Sequence, residues 1–142
     1  MRPKPIVWFE RHLIASAGAS ILAVLLNYDV LRQKAIDQGT SPLGPMIGML
    51  VTAGVVWLFW FLIARRASSI AKWINVVIVA FGTLTLPWSW AEVFGIGPVY
   101  SVLATISYLC SIVATIYLFH PDAVAWLKSK GRNSPVDPDV FA

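Results

Sequence analysis

The two histidines, His12 and His120, come nearest to a chemical site in this sequence. Each has a carboxylate two residues away, Glu10 and Asp122, and a carboxylate bonded to one ring nitrogen is a common way to orient an imidazole toward a metal or haem iron. Two imidazoles fall short of the three or four protein ligands that zinc takes. The expectation is therefore no metal and no cofactor, with His12 and His120 at a membrane interface and paired with their local carboxylates. There is no Ser-His-Asp spacing, glycine-rich phosphate loop or HExxH, so no catalytic residue is assigned and the chain is read as not an enzyme. Cys110, the one cysteine, excludes an intramolecular disulfide and a CxxC redox pair.

Uncharged polar residues form the next pattern. Ser101, Thr105, Tyr108, Ser111 and Thr115 recur at steps of four, three, three and four, which places them on one helical face. His12, Ser16, Ser20, Ala23 and Asn27 do the same near the start of the chain, and Asn75, Gly82 and Thr85 add a third face. Small and hydroxylated residues allow helices to approach closely and exchange hydrogen bonds in an apolar medium. The stripes are thus expected to be helix-packing faces, the first helix against the last through Ser16, Ser20, Thr105 and Ser111. A polar pathway between the same two helices is the functional alternative.

The elements carrying these residues follow from hydropathy. The chain of 142 residues is 58% hydrophobic and 13% charged, with a mean hydropathy of +0.72, and its charges sit in clusters between long apolar runs. A soluble domain carries about a quarter charged residues. Roughly 20 apolar residues cross a hydrocarbon core as a helix, and four segments meet this length, at about 13–31, 45–64, 71–90 and 98–119. No alternation suited to a membrane barrel occurs. The expected fold is all-α, a multi-pass bundle of four transmembrane helices in a domain spanning 1–128. A short interfacial helix at 122–128 completes it, and 129–142 is read as a flexible tail. Pro87 is expected to break or kink the last turn of the third span. The basic residues before span one suggest a signal peptide, but the small residues Ala15 to Ser20 start the apolar stretch instead of ending it, so the span is expected to be retained. No span has an Asp, Glu, Lys or Arg near its middle, which argues against an ion-coupled transporter or voltage sensor.

Orientation comes from the cations. Arg2, Lys4 and Arg11 precede span one, Arg65, Arg66 and Lys72 lie between spans two and three, and Lys128, Lys130 and Arg132 follow span four. Only Arg32 and Lys34 occupy the first outer loop, and the loop between spans three and four has no Lys or Arg. The positive-inside rule then puts both termini in the cytoplasm. Trp8, Trp73 and Trp126 fall at the inner interface and Trp88 and Trp90 at the outer one. The net charge of +4 is accounted for by this orientation, and no nucleic-acid partner is expected.

The ending Tyr117-Leu118-Phe119-His120-Pro121-Asp122-Ala123 with Trp126, and the Arg65-Arg66 turn leading to Ala71-Lys72-Trp73, resemble small four-helix bacterial inner-membrane proteins of unassigned function. The resemblance implies a bacterial inner-membrane location and carries over no site residue. The function expected is a structural, assembly or accessory role in the lipid bilayer, as a homo-oligomer or within a larger membrane complex. An oligomeric channel or carrier for a small uncharged substrate is the alternative, and a cofactor-bearing subunit using His12 and His120 the second alternative. The charge asymmetry predicts that a cytoplasm-active reporter will work at the C-terminus and near Ala67, and a periplasm-active one near Gly39 and Ile96. A C-terminus active only in the periplasm would overturn the span count.

Overall fold

In a chain of long apolar runs, a helix satisfies each segment's backbone N–H and C=O groups internally. The computed structural model describes residues 2–131 and is all-helical, with no strand among the described residues. The elements are α1 (Lys4–Leu26), α2 (Tyr28–Asp37), α3 (Gly44–Phe59) continued by a π-helical segment (Trp60–Arg65), α4 (Ser69–Phe94), α5 (Pro98–Tyr117) and α6 (Pro121–Lys128). Proline stands in the first turn of α1, α3, α5 and α6, where its missing N–H costs no intrahelical bond. Four helices are long and apolar enough to cross a membrane: Lys4–Leu26, Gly44–Arg65, Ser69–Phe94 and Pro98–Tyr117.

The boundaries differ from the sequence reading in four places. The first helix starts at Lys4 and stops at Leu26, short of Leu31. There the Asn27 side chain donates to the Ala23 carbonyl at 2.9 Å and its backbone leaves the helical region, at φ −120° and ψ 23°. Such a local bond competes with the helix ladder. The residues expected to form an outer loop instead fold as α2, with Asp29 in its first turn and Lys34 in its last, the arrangement the helix dipole favours.

Pro87 neither breaks nor ends α4, which runs on to Phe94. Hydroxyls flank it: Thr85 Oγ1 donates to the Phe81 and Gly82 carbonyls, and Ser89 Oγ to those of Thr85 and Leu86. Trp126, expected as an interfacial anchor on α6, is buried at 5% exposure. The helix N-cap is His120, and Ala123, Trp126 and Leu127 turn inward. Of the expected tail, 132–142 lie outside the described residues.

Packing is uneven. The pairing of α1 with α5 is by far the most extensive, with α3 set against α1 and α4 against α5, while α3 and α4 barely meet. The helices therefore lie in the order α3, α1, α5, α4, and the fourth seam of a closed bundle is slight. The core is concentrated at one end, from Ile6, Phe9 and Leu13 of α1, Phe59, Ile63, Ala64 and Ala67, Ala71, Ala114 and Leu118, and Ala123, Trp126 and Leu127 of α6. Arg2, Lys4, Arg11, Arg65, Arg66, Lys72, Lys128 and Lys130 fall on the elements that converge there, so it is called the basic end below. At the opposite end, Gly97 at φ +147° turns α4 into α5, a conformation available to glycine without Cβ strain. Lys34 of α2 approaches Glu92 of α4 there, at 4.0 Å.

This distribution predicts a sharp contrast between truncations. Ile63→Ala, at a fully buried position, should lower stability by about 2–5 kcal/mol. Leu84→Ala, at a position 70% exposed, should stay within roughly 0.5 kcal/mol of the parent. Thermal unfolding in detergent measures both, and equal losses would disprove a core confined to the basic end.

Candidate functional site

Two polar seams flank α5. Toward α1, Ser16 Oγ and Ser107 Oγ lie 3.1 Å apart and Ser107 Oγ donates to the Ser16 carbonyl at 2.9 Å. Toward α4, Asn75 Nδ2 donates to Thr115 Oγ1 at 3.0 Å, and Thr83 and Tyr108 share a hydrogen bond through their hydroxyls. Ser101 Oγ reaches the Val93 carbonyl at the end of α4, at 3.1 Å. Thr105 and Thr115 also donate back to the carbonyls of Ser101 and Ser111.

The stripe of α5 is therefore divided. Ser101, Tyr108 and Thr115 engage α4, and the residue that meets Ser16 is Ser107, which lies off the stripe. The hydrogen bonds of Ser16 go to Ser107, and not to Thr105 or Ser111, on a helix that sits between two others. Ser20 and Ser111 are half-buried, and Asn27 marks the α1–α2 break. The 3.6-residue period could not distinguish Ser107 from other isolated serines, because only the position of α1 gives it a partner.

The basic end holds the ionisable groups. His12 Nδ1 lies 2.9 Å from the Trp8 carbonyl, and its ring packs beside those of Trp8 and Tyr117, with centroids at 5.8 and 5.5 Å, while these two stack on each other at 6.2 Å. His120 instead accepts a bond from the Asp122 amide through Nδ1, at 3.4 Å, with the Asp122 carboxylate 3.7 Å away. The pairing expected between His12 and Glu10 does not form. Glu10 Oε2 is 2.6 Å from Arg2 Nη1, and its Oε1 accepts from the Trp60 indole at 2.7 Å. Glu10 is the residue sequence reasoning missed, since an indole fifty positions away gives no local signal. Among the described residues no three His, Cys, Asp or Glu side chains come together as metal ligands.

Cations at this end rest on aromatic faces. Arg11 lies over Trp8 at 5.3 Å, Arg65 over Trp60 at 5.1 Å and Arg66 over Phe61 at 5.5 Å. The last two pairs are five residues apart, the spacing that a π-helical turn brings into register. Its signature bond runs from the Arg66 N–H to the Phe61 carbonyl, at 3.1 Å. Each contact contributes about 0.5–1 kcal/mol where exposed.

The Asn75–Thr115 bond can be weighed by a double-mutant cycle with Asn75→Ala and Thr115→Val. The coupling energy expected is about 0.6 kcal/mol and no more than about 1.7, read from unfolding in detergent. Zero coupling would mean that the α4–α5 seam is held by apolar contact alone. Compared with protein-family models, curated proteins and solved structures, the chain finds no match.

Proposed function

We propose that the chain is a multi-pass protein of the bacterial inner membrane, both termini cytoplasmic, serving as a structural, assembly or accessory subunit with copies of itself or within a larger membrane complex. The observation that carries this reading is the one-ended core. Beyond the basic end, α3 and α4 present long rows of large apolar side chains, among them Leu50, Val51, Trp57, Val77, Phe81 and Leu84. Apolar surface on this scale calls for lipid or for other helices. The slight α3–α4 seam leaves both helices with faces that a neighbouring helix can cover. An apolar cleft of about 390 Å³, lined by Ala17 and Ala53 among others, runs between α1 and α3, and small residues are what close helix association in lipid uses.

The basic clusters support the orientation, and the seams of serine, threonine and asparagine support packing, since the hydroxyls of Ser16, Thr83, Ser101, Thr105, Ser107, Tyr108 and Thr115 are each engaged by a neighbour or by their own helix. A photoreactive amino acid in place of Trp57 or Leu84 tests the assembly reading in living cells. Discrete protein adducts, either a dimer of the chain or one reproducible heavier partner, are expected. Adducts to lipid alone at both positions would remove it. A pH-dependent flux in liposomes that is lost on His12→Ala would replace it with the channel reading, and a Soret band lost on either histidine substitution with the cofactor reading.

A further inference from the structure

The start of α4 lies between two adjoining clefts at the basic end. One, of about 460 Å³, is lined by Leu62, Arg66, Ser69, Ile70, Lys128 and Lys130 among others. The second, of about 270 Å³, is lined by Ser69, Lys72, Trp73, Val124, Leu127 and Lys128. Ser69, Leu127 and Lys128 are common to both, so four cations surround one helix N-terminus, and among the described residues neither cleft has an acidic lining residue. Within α4's first turn the Ala71 amide is capped by Ser68 Oγ. The amides of Ser69 and Ile70 precede the first intrahelical donor, the Lys72 N–H that bonds the Ser68 carbonyl, and remain as donors to an anion.

Lys72 supplies the independent observation. It is 7% exposed, it lines the narrower cleft, and among the described residues no carboxylate lies within ion-pair distance of it. Its ammonium faces the Phe119 ring at 4.2 Å and the Trp73 ring at 5.6 Å. Aromatic faces offset part of the cost of holding a cation in an apolar setting, and although the residue as a whole is buried its ammonium is not sealed off from solvent, so it can take an anionic partner. Here it faces a cleft with a second lysine and a hydroxyl. Both clefts are bordered by exposed apolar residues, Ile70 and Trp73, so that charge and grease adjoin as they do in an amphiphile.

We propose that Arg66, Lys72, Lys128 and Lys130, with Ser69 and the first amides of α4, bind a phosphate group, that of an anionic phospholipid headgroup whose acyl chains lie along Ile70 and Trp73. The lipid half of this inference rests on the membrane reading above, whereas the phosphate half does not. Basic pockets between helices on the cytoplasmic side recognise such headgroups through these same terms.

The test titrates the protein in mild detergent with phosphatidylglycerol, phosphatidylcholine and inorganic phosphate, counting bound species by native mass spectrometry. One phosphatidylglycerol should be retained in preference to phosphatidylcholine. Its affinity should fall by about twenty-five-fold in the Lys128→Gln/Lys130→Gln variant, at roughly fivefold per cation. Both lysines are exposed, so this variant keeps the core intact and decides the matter even if Lys72→Gln, which should abolish the preference, fails to fold. Indifference to millimolar inorganic phosphate supports the lipid as the source, and displacement by it supports a phosphate site filled from solution. Equal retention of the two lipids, or an unchanged affinity in the double-lysine variant, would overturn the proposal. The photo-crosslinking outcome is independent of all these results.

Discussion

The antiparallel pairing of α1 with α5 is the contact on which the other helices are hung. It joins the beginning of the chain to its last long helix, and α3 and α4 each attach to one member of the pair instead of to each other. Leu13, Ala114 and Leu118 belong to it and also to the core at the basic end. Small side chains make this approach possible: Ala114 is almost wholly buried, and Ser16 and Ser107 exchange hydrogen bonds across the seam. In lipid, helices gain little from excluding water, so close van der Waals contact of this kind is what distinguishes one pairing from another.

The same pairing sets the conditions for the π-helical segment. With α1 in place, Phe59, Ile63, Ala64 and Ala67 must all face inward, and an unbroken α-helix would carry the consecutive residues Ile63 and Ala64 about 100° apart. The wider π turn lets the chain keep both buried while Trp60 still reaches Glu10. It also aligns Arg65 and Arg66 with Trp60 and Phe61, so that the guanidinium groups have aromatic faces to rest on as they leave the core. One local adjustment therefore reconciles a buried stripe, a partly buried carboxylate and two cations.

How much of this could be read beforehand depended on range. The four long helices are legible because an apolar run of roughly 20 residues is a property of consecutive residues, and proline in the first turn of three of them marks where they start. The break at Asn27 was less so: Asn27 falls in step with Ser16, Ser20 and Ala23, and its competing bond to the Ala23 carbonyl is visible only once both conformations are weighed. Asp29 and Lys34 at the two ends of α2 carry the charge pattern of a short helix. Ser107, Glu10 and Trp126 were beyond local reading, since each owes its role to a residue on another helix. Lys72 belongs to the cations that set orientation, and its burial, with Phe119 and Trp73 beside its ammonium, is what separates it from the exposed Arg65 and Arg66.

The polar seams bear on register more than on strength. A hydrogen bond between helices contributes about 0.6 kcal/mol on average in lipid, too little for two or three of them to hold a fold together. Their effect lies in what a slip would cost. Sliding α5 by one turn against α4 would part Asn75 from Thr115, and an amide left unpaired in an apolar interior costs several times what its bond contributes. Rotating α5 to improve that seam would swing Ser107 away from Ser16, because the two sit on different sides of the helix. Three helices are thus held in mutual register by groups that are individually weak. An arrangement pinned in register at α5, with α3 and α4 each covered on one side, can accept a neighbour without repacking its centre.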